Sequence, residues 1–398
     1  MNSFFKACIL SHCSHKDAGL QWNRSTRSNK KVNGVYMHSA IVIDEGGTQA
    51  AIADTTQLLN DVKAFADILV VSTRPAPENF SVGMWISENS LPAAMAKAAS
   101  IAASKRVLLV NSALAFNLTD LSKLVPEIET RSMAEHIIVA PVSQDAPIDL
   151  PEFSPETIIA SLRTYDTFPL LCVSTSRQAL TAICTGSSES VAEIIAKTLI
   201  SCISDGDSVR ISSTITPMVS SAAVVQLCTL SNGAKARCLQ LAIDGMNIEE
   251  LFPQHNWKAF SEESAAASYH SLAALFLRFQ DPDSAAQCLA CSEKLEESPR
   301  YFALQGLIQQ AQGETLGAVA NLVSSLQCYE SRKSNDGKHY LNFKPANLEV
   351  IKVRLAEGLD ALNKRDNARA LASFSDAVFS FDTFYSEHGV RNPSESEN

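Results

Sequence analysis

Three kinds of residue in this chain could do chemistry. Carboxylates stand where the hydrophobic pattern breaks: Asp44 and Glu45 after the apolar run Ser39–Ile43, and Glu189 just before the apolar helical stretch Val191–Ile203. The first pair could hold a base or a ribose, or stand solvated in the glycine-rich turn that follows, and the solvated reading is preferred. Glu189 is the carboxylate that could act as a general base, although an acidic residue at a helix start also simply complements the helix dipole. Small neutral groups end three other elements: Ser72–Thr73 after Asp67–Val71, Asn111–Ser112–Ala113 after Val107–Val110, and Ser190 before Val191. Hydroxyls and amides can bond a ligand, but they do not replace the anionic oxygens that a hard divalent cation needs. An unassisted serine hydroxyl is no base near neutral pH. Thiols and imidazoles form the third kind. Cys288 and Cys291 lie one helical turn apart, and without a second pair they read as small buried side chains. Cys8, His12, Cys13 and His15 have ligand chemistry but sit in a polar leader. No metal ligand set and no cofactor is assigned. There is no G-x-G-x-x-G after a strand, no phosphate-binding Walker loop and no G-x-S-x-G elbow.

The elements that must position these residues are short apolar runs alternating with helical patterns. The runs are Ser39–Ile43, Asp67–Val71, Trp85–Ile86, Val107–Val110, Ile137–Ala140 and Leu170–Val173, with a further strand around Val209–Ile211. Helical spacing covers Ala50–Ala66, an alanine-rich stretch Leu91–Ser104, and Val191–Ile203. Continuously apolar strands alternating with helices predict a mainly parallel α/β sheet buried on both faces. Ligands in such sheets sit beyond the carboxyl ends of the strands, here at Asp44, Ser72–Thr73 and Asn111–Ala113.

After about residue 255 alanine, leucine, glutamine and glutamate dominate. Small residues Ala274, Gly306 and Gly358 are each followed twelve residues later by Ala286, Ala318 and Ala370, with Phe374 and Ala377 after the last. The copies stand 32 and 52 residues apart, the excess falling in the polar stretch 330–346. Small residues let the two helices of a hairpin cross closely. This arrangement resembles the tetratricopeptide repeat, which implies an all-α array of helical hairpins with a protein-binding surface.

The 398-residue length suggests two domains. The expected division is a basic leader over 1–36, an α/β domain over 37–250, a helical domain over 256–385, and a tail over 386–398. The net charge of −10 argues against nucleic acid as a partner. Residues 1–35 carry a net +5, which leaves −15 for the rest. No apolar run approaches the roughly 18 residues needed to span a bilayer. The N-terminus is a poor signal peptide, so a cytoplasmic location is expected, with the ten cysteines mostly reduced and buried.

Over roughly residues 38–216, the order of helix, strand and polar tripeptide resembles the family 2 glycosyltransferases of the GT-A fold. The resemblance implies a nucleotide-sugar site. A first strand ends in a loop over the nucleotide, near Asp44. A second ends in an aspartate that holds the base, where this chain has Ser72–Thr73. The strand after the alanine-rich helix closes with a metal-binding Asp-x-Asp motif, where this chain has Asn111, Ser112 and Ala113. A Glu-Asp pair at a later helix start carries the catalytic base, where this chain has Glu189 and Ser190. Base-binding, metal and catalytic aspartates are thus replaced together.

Three readings follow. The preferred one is a non-catalytic glycosyltransferase-like domain joined to tetratricopeptide-like helices, acting as a protein-binding scaffold or assembly factor through residues 256–385. The alternative is an active, metal-independent glycosyltransferase that modifies a protein acceptor recruited by the helices. In that reading Glu189, Asp44, Arg177 and Arg210 supply the base, nucleotide and diphosphate contacts. The third is a structural protein that packs into a homo-oligomer. Enzymatic activity is left undecided, with the missing aspartates weighing against it.

Overall fold

A computed structural model describes residues 38–143, 145–255, 257, 261–293, 298–336 and 345–388. The basic leader with its Cys8–His15 cluster, and the tail beyond residue 388, lie outside the described residues.

Among the described residues, seven strands form one mixed, mainly parallel sheet: β1 (His38–Ile43), β2 (Phe65–Ser72), β3 (Met84–Ser87), β4 (Arg106–Asn111), β5 (Glu135–Val139), β6 (Cys172–Ser176) and β7 (Ser208–Ser212), in the order β3-β2-β1-β4-β6-β5-β7. β1 pairs in parallel with β2 and β4, β2 with β3, and β5 with β7. β6 is antiparallel to both of its neighbours.

The apolar runs are buried on both faces. Ile41 and Ile43 of β1 belong to one core layer, and Ala40 and Val42 to the other. The first layer is covered by α2 (Leu91–Ile101), α4 (Pro155–Thr164), α5 (Arg177–Cys184), α6 (Val191–Ser204) and α8 (Asn232–Gly245). The second is covered by α1 (Gln49–Val62), α3 (Leu118–Glu129) and α7 (Ser221–Cys228). A short helix, α9 (Ile248–Leu251), leads out of this part. The helices start where serine, threonine or asparagine side chains accept the first free N–H groups, as at Thr48, Ser90, Asn117 and Ser190.

Two expected boundaries shift. The helix expected over Ala50–Ala66 ends at Val62, because Lys63 turns left-handed (φ 56°) and its N–H returns to the Asn60 carbonyl. Phe65 then opens β2. The run Leu170–Val173 contributes only its second half to β6, which continues to Ser176.

The chain order makes β1 and β4 the topological switch. The chain leaves β1 for β2 and β3 on one side and returns to β4 on the other, so a crevice opens between the carboxyl ends of β1 and β4.

The remaining helices form three antiparallel hairpins: α10 (Ser261–Arg278) with α11 (Pro282–Glu293), α12 (Pro299–Ala311) with α13 (Thr315–Asp336), and α14 (Pro345–Asn363) with α15 (Asn367–His388). Each turns through a left-handed residue: Gln280, Gly313 and Arg365 (φ 61°, 86° and 60°). In each, the next N–H reaches back five residues, from Asp281 to Phe276, Glu314 to Gln309 and Asp366 to Ala361. These turns are 33 and 52 residues apart, which corrects the sequence register of the first copy by one residue. Its fully buried small residues are Ala273 and Ala285, whereas Ala274 and Ala286 are only partly buried. The crossings are as close as the small residues require. A Cβ on Gly306 would lie 2.9 Å from the Ala318 carbonyl oxygen, and one on Gly358 would lie 2.2 Å from the Phe374 ring. The first hairpin shares the core of the sheet layer, with Leu272, Phe276 and Leu289 packed alongside Leu239 and Phe252. The second and third share another core around Leu307, Leu322, Ile351 and Phe374. Among the described residues no helix is long and apolar enough to cross a membrane.

Candidate functional site

The crevice at the ends of β1 and β4 gathers most of the residues singled out in the sequence. Asp44 follows β1 directly, and its N–H bonds the Val71 carbonyl of β2 at 2.9 Å. Its side chain is not solvated as the sequence suggested but 1% exposed. Ser72 Oγ donates to Asp44 Oδ2 at 2.5 Å, Arg74 Nε donates to the same oxygen at 3.0 Å, and Arg74 Nη2 pairs with Oδ1. The hydrogen bond to Asp44 raises the pKa of the Arg74 guanidinium. Arg74 also bonds the Gly47 carbonyl at 3.2 Å, and its own carbonyl accepts from Trp85 Nε1 at 2.9 Å. One carboxylate and one guanidinium thus close the ends of β1 and β2 on each other in a bidentate pair. Thr73 is exposed and stays outside this network.

Asn111–Ser112–Ala113 closes β4. Asn111 Oδ1 accepts the Ala113 N–H at 2.9 Å, so the side chain shapes its own turn. The Ser112 N–H bonds the Ile43 carbonyl at 3.0 Å, and Ser112 Oγ is buried with no hydrogen-bond partner among the described residues. The β1 loop crosses directly over it. A Cβ on Gly47 would lie 2.2 Å from Ser112 Oγ, so any larger residue would force Ser112 or the loop to shift. The neighbouring Gly46 (φ 75°) packs under Leu227 of α7.

Apolar side chains pack beside these strand ends. Ile43, Asn111 and Glu45 meet Phe168, Leu171, Ile195, Leu227 and Cys228, and the space left between them is about that of one water molecule. Burial raises Glu45 to about 6. It also pushes the Cys228 thiol up to about 12, with Glu45 adding to the effect, so this thiol is no nucleophile.

Ser190 and Glu189 stand at the start of α6, whose Val191, Ala192 and Ile195 line the same crevice. Ser190 Oγ accepts the Glu193 N–H at 3.2 Å and is a helix cap. Glu189 is 58% exposed, bonded by Ser231 Oγ at 2.8 Å and by Arg237 Nη2 at 3.0 Å. The Ser231 hydrogen bond, followed by that from Arg237, holds its carboxyl below the usual range, which disfavours it as a base. Arg177 and Arg210 lie elsewhere. Because β6 runs antiparallel, Arg177 follows it at the opposite end of the sheet, where its N–H bonds the Lys105 carbonyl. Arg210 is on the edge strand β7, 3.7 Å from Glu135 at the start of β5.

Sequence reasoning missed four participants. Arg74 follows Ser72 by two residues, in the very segment taken as the end of β2. Glu193 is fully buried, 2.7 Å from Arg237 Nε and 2.9 Å from Lys197 Nζ. Burial raises its carboxyl, but hydrogen bonds from Arg237, the Glu189 N–H and Lys197 outweigh this and lower it to about 2. The Ser190-x-x-Glu193 spacing of a capping box was its signal. Leu227 and Cys228 carried none, because nothing local to them announces which cavity they fill.

No protein-family model matches this chain, and no curated protein matches it. Among solved structures, it is similar to the mannosyltransferase of Pyrobaculum calidifontis in complex with GDP-mannose and Mn2+. The TM-score is 0.37 and the identity 10%, over 73% of this chain and 87% of that one. At that level no correspondence of residues follows.

Proposed function

We propose that the α/β part is a glycosyltransferase-like domain that has kept its architecture without its chemistry. The protein then acts as a scaffold or assembly factor through the tetratricopeptide-like hairpins of residues 256–385. The observation that carries this reading is the filled crevice. At the β1–β4 switch, where an open α/β sheet receives its ligand, Phe168, Leu171, Ile195 and Leu227 leave room for about one water. Three of the polar groups around it are engaged: Asp44 by Arg74 and Ser72, Asn111 by its own turn, and Glu189 by Ser231 and Arg237. A diphosphate leaving group needs a cation or fixed donors aimed at it, and these side chains are spent within the protein. The helices favour a protein partner, because stacked hairpins crossing at small residues build extended surfaces.

Melting temperature in the presence of UDP- and GDP-sugars tests the reading, with Mn2+ alone as the reference. A ligand that binds the folded state must stabilise it. The expected result is no nucleotide-dependent shift beyond Mn2+ alone. A shift of several degrees that requires the nucleotide sugar would overturn it and favour the metal-independent or metal-assisted enzyme.

A further inference from the structure

The opposite end of the sheet holds a cluster that the crevice does not explain. His136 at the start of β5, Cys202 near the end of α6 and Asp207 just before β7 bring Nε2 or Nδ1, Sγ and a carboxylate oxygen within 4.8 Å of one another. Cys202 and Asp207 lie five residues apart, and His136 comes from a strand more than sixty residues earlier. His136 and Cys202 are buried, and Asp207 is 27% exposed, which leaves one open side.

The second layer of contacts orients the donors. Thr175 Oγ1 lies 3.1 Å from His136 Nδ1, while His136 Nε2 lies 3.0 Å from Asp207 Oδ2. Coordination would move the ring proton to Nδ1, where Thr175 Oγ1 can accept it, and free the Nε2 lone pair that faces the Asp207 carboxylate. Thr175 also bonds the Cys202 thiol, so one hydroxyl positions two of the three groups.

We propose that His136, Cys202 and Asp207 form a site for a zinc-class divalent cation at the amino end of the sheet, with water as the fourth ligand on the exposed side of Asp207. Imidazole, thiolate and carboxylate together suit a borderline-soft ion in tetrahedral geometry. Such a site separates its donor atoms by roughly 3.3–3.8 Å, so closure requires side-chain adjustment only. Binding releases the Cys202 thiol proton to solvent, and thiolate and carboxylate then balance the ion's charge. Arg106 is the neighbouring cation, and its guanidinium is held by the carbonyls of Ser132 and Glu135. The ion would tie α6, β5 and β7 together where the sheet has its edge.

The test titrates Co2+ alone into the reduced, chelator-treated full chain and follows near-ultraviolet thiolate-to-cobalt absorption and melting temperature. One equivalent should give the absorption band and a rise of several degrees, and Zn2+ should bleach the band. Cys202→Ala should abolish the band. Asp207→Asn, at a partly exposed position, should fold normally and weaken binding at least tenfold. Absence of both band and shift in the wild-type chain overturns the proposal. So does a band that survives Cys202→Ala and disappears with Cys288→Ala and Cys291→Ala, which would place the ion on α11.

Discussion

At the carboxyl end of the sheet, Asp44, Ser72, Asn111 and Glu189 have partners within the chain, and apolar side chains fill the space between β1 and β4. At the amino end His136, Cys202 and Arg106 are buried together beside Asp207, and neither ring nitrogen of His38 has a hydrogen-bond partner among the described residues. At the end where open α/β sheets receive ligands, apolar side chains leave only a small void. The other end keeps a buried imidazole, His38, with neither nitrogen partnered among the described residues, whereas the unpartnered group at the carboxyl end is the Ser112 hydroxyl, which does not titrate. Unsatisfied buried donors and acceptors each weaken a fold, so the two ends should answer mutation and pH differently.

The largest effect is expected at the rim of the crevice. Glu193→Gln removes the charge that two buried-side cations, Arg237 and Lys197, share. Breaking a buried pair by removing one partner costs about 3–5 kcal/mol, to be read from denaturant unfolding at pH 7. The loss should shrink as the wild type is acidified from its ordinary unfolded value of 4.5 toward about 2, because a carboxyl lowered in the folded state stabilises only while ionised. A loss below 1 kcal/mol would mean that the network is solvated and the rim open. Next is Leu227→Ala, which removes a side chain lining the crevice. It should cost about 2–4 kcal/mol and gain no affinity for a nucleotide sugar by calorimetry. Measurable binding in this variant would show that a ligand site persists beneath Leu227.

Much of the architecture could be read from apolar runs, because β1, β2 and β4 are buried on both faces and carry no polar residue in their centres. The direction of β6 could not, since an apolar run has no sense of direction, and Arg177 was therefore placed at the wrong end. The three hairpins were visible as recurring small residues. The one-residue error in the first arose because Ala273 and Ala274 are chemically identical and only the turn at Gln280 fixes the register. The residues singled out do stand at strand and helix ends, but their partners could not be read from the sequence. Asp44 and Arg74 are 30 residues apart, and Leu227 reaches Gly46 from another layer. Partnership of that kind is tertiary and leaves no local pattern.

A smaller effect sharpens the crevice side. Gly47→Ala should cost about 1–3 kcal/mol, because its Cβ would lie 2.2 Å from Ser112 Oγ and the surrounding core is closely packed. Ser112→Ala introduced with it should recover part of that loss, since it removes the nearest atom and also a hydroxyl that has no partner among the described residues. Chemical unfolding of the four chains in a double-mutant cycle gives the coupling. Strict additivity would show that the β1 loop does not press on β4 as described.

The smallest effect compares the two ends directly, through pH. Burial raises Glu45 from 4.5 to about 6, so between those values the folded chain holds a proton that the unfolded chain has released. Stability from this group therefore rises on acidification. His38 is lowered from 6.5 to about 4, by burial first and by Arg106 second, so across that window the unfolded chain holds the extra proton and stability falls on acidification. The contributions oppose each other in the wild type, and each stays below the one-proton limit of about 1.4 kcal/mol per pH unit. Glu45→Gln should steepen the loss of stability between pH 6 and 4.5, and His38→Phe should reduce it, in urea midpoints measured across that range. Differences of the same sign in both variants would mean that the two ends do not carry opposite electrostatic burdens.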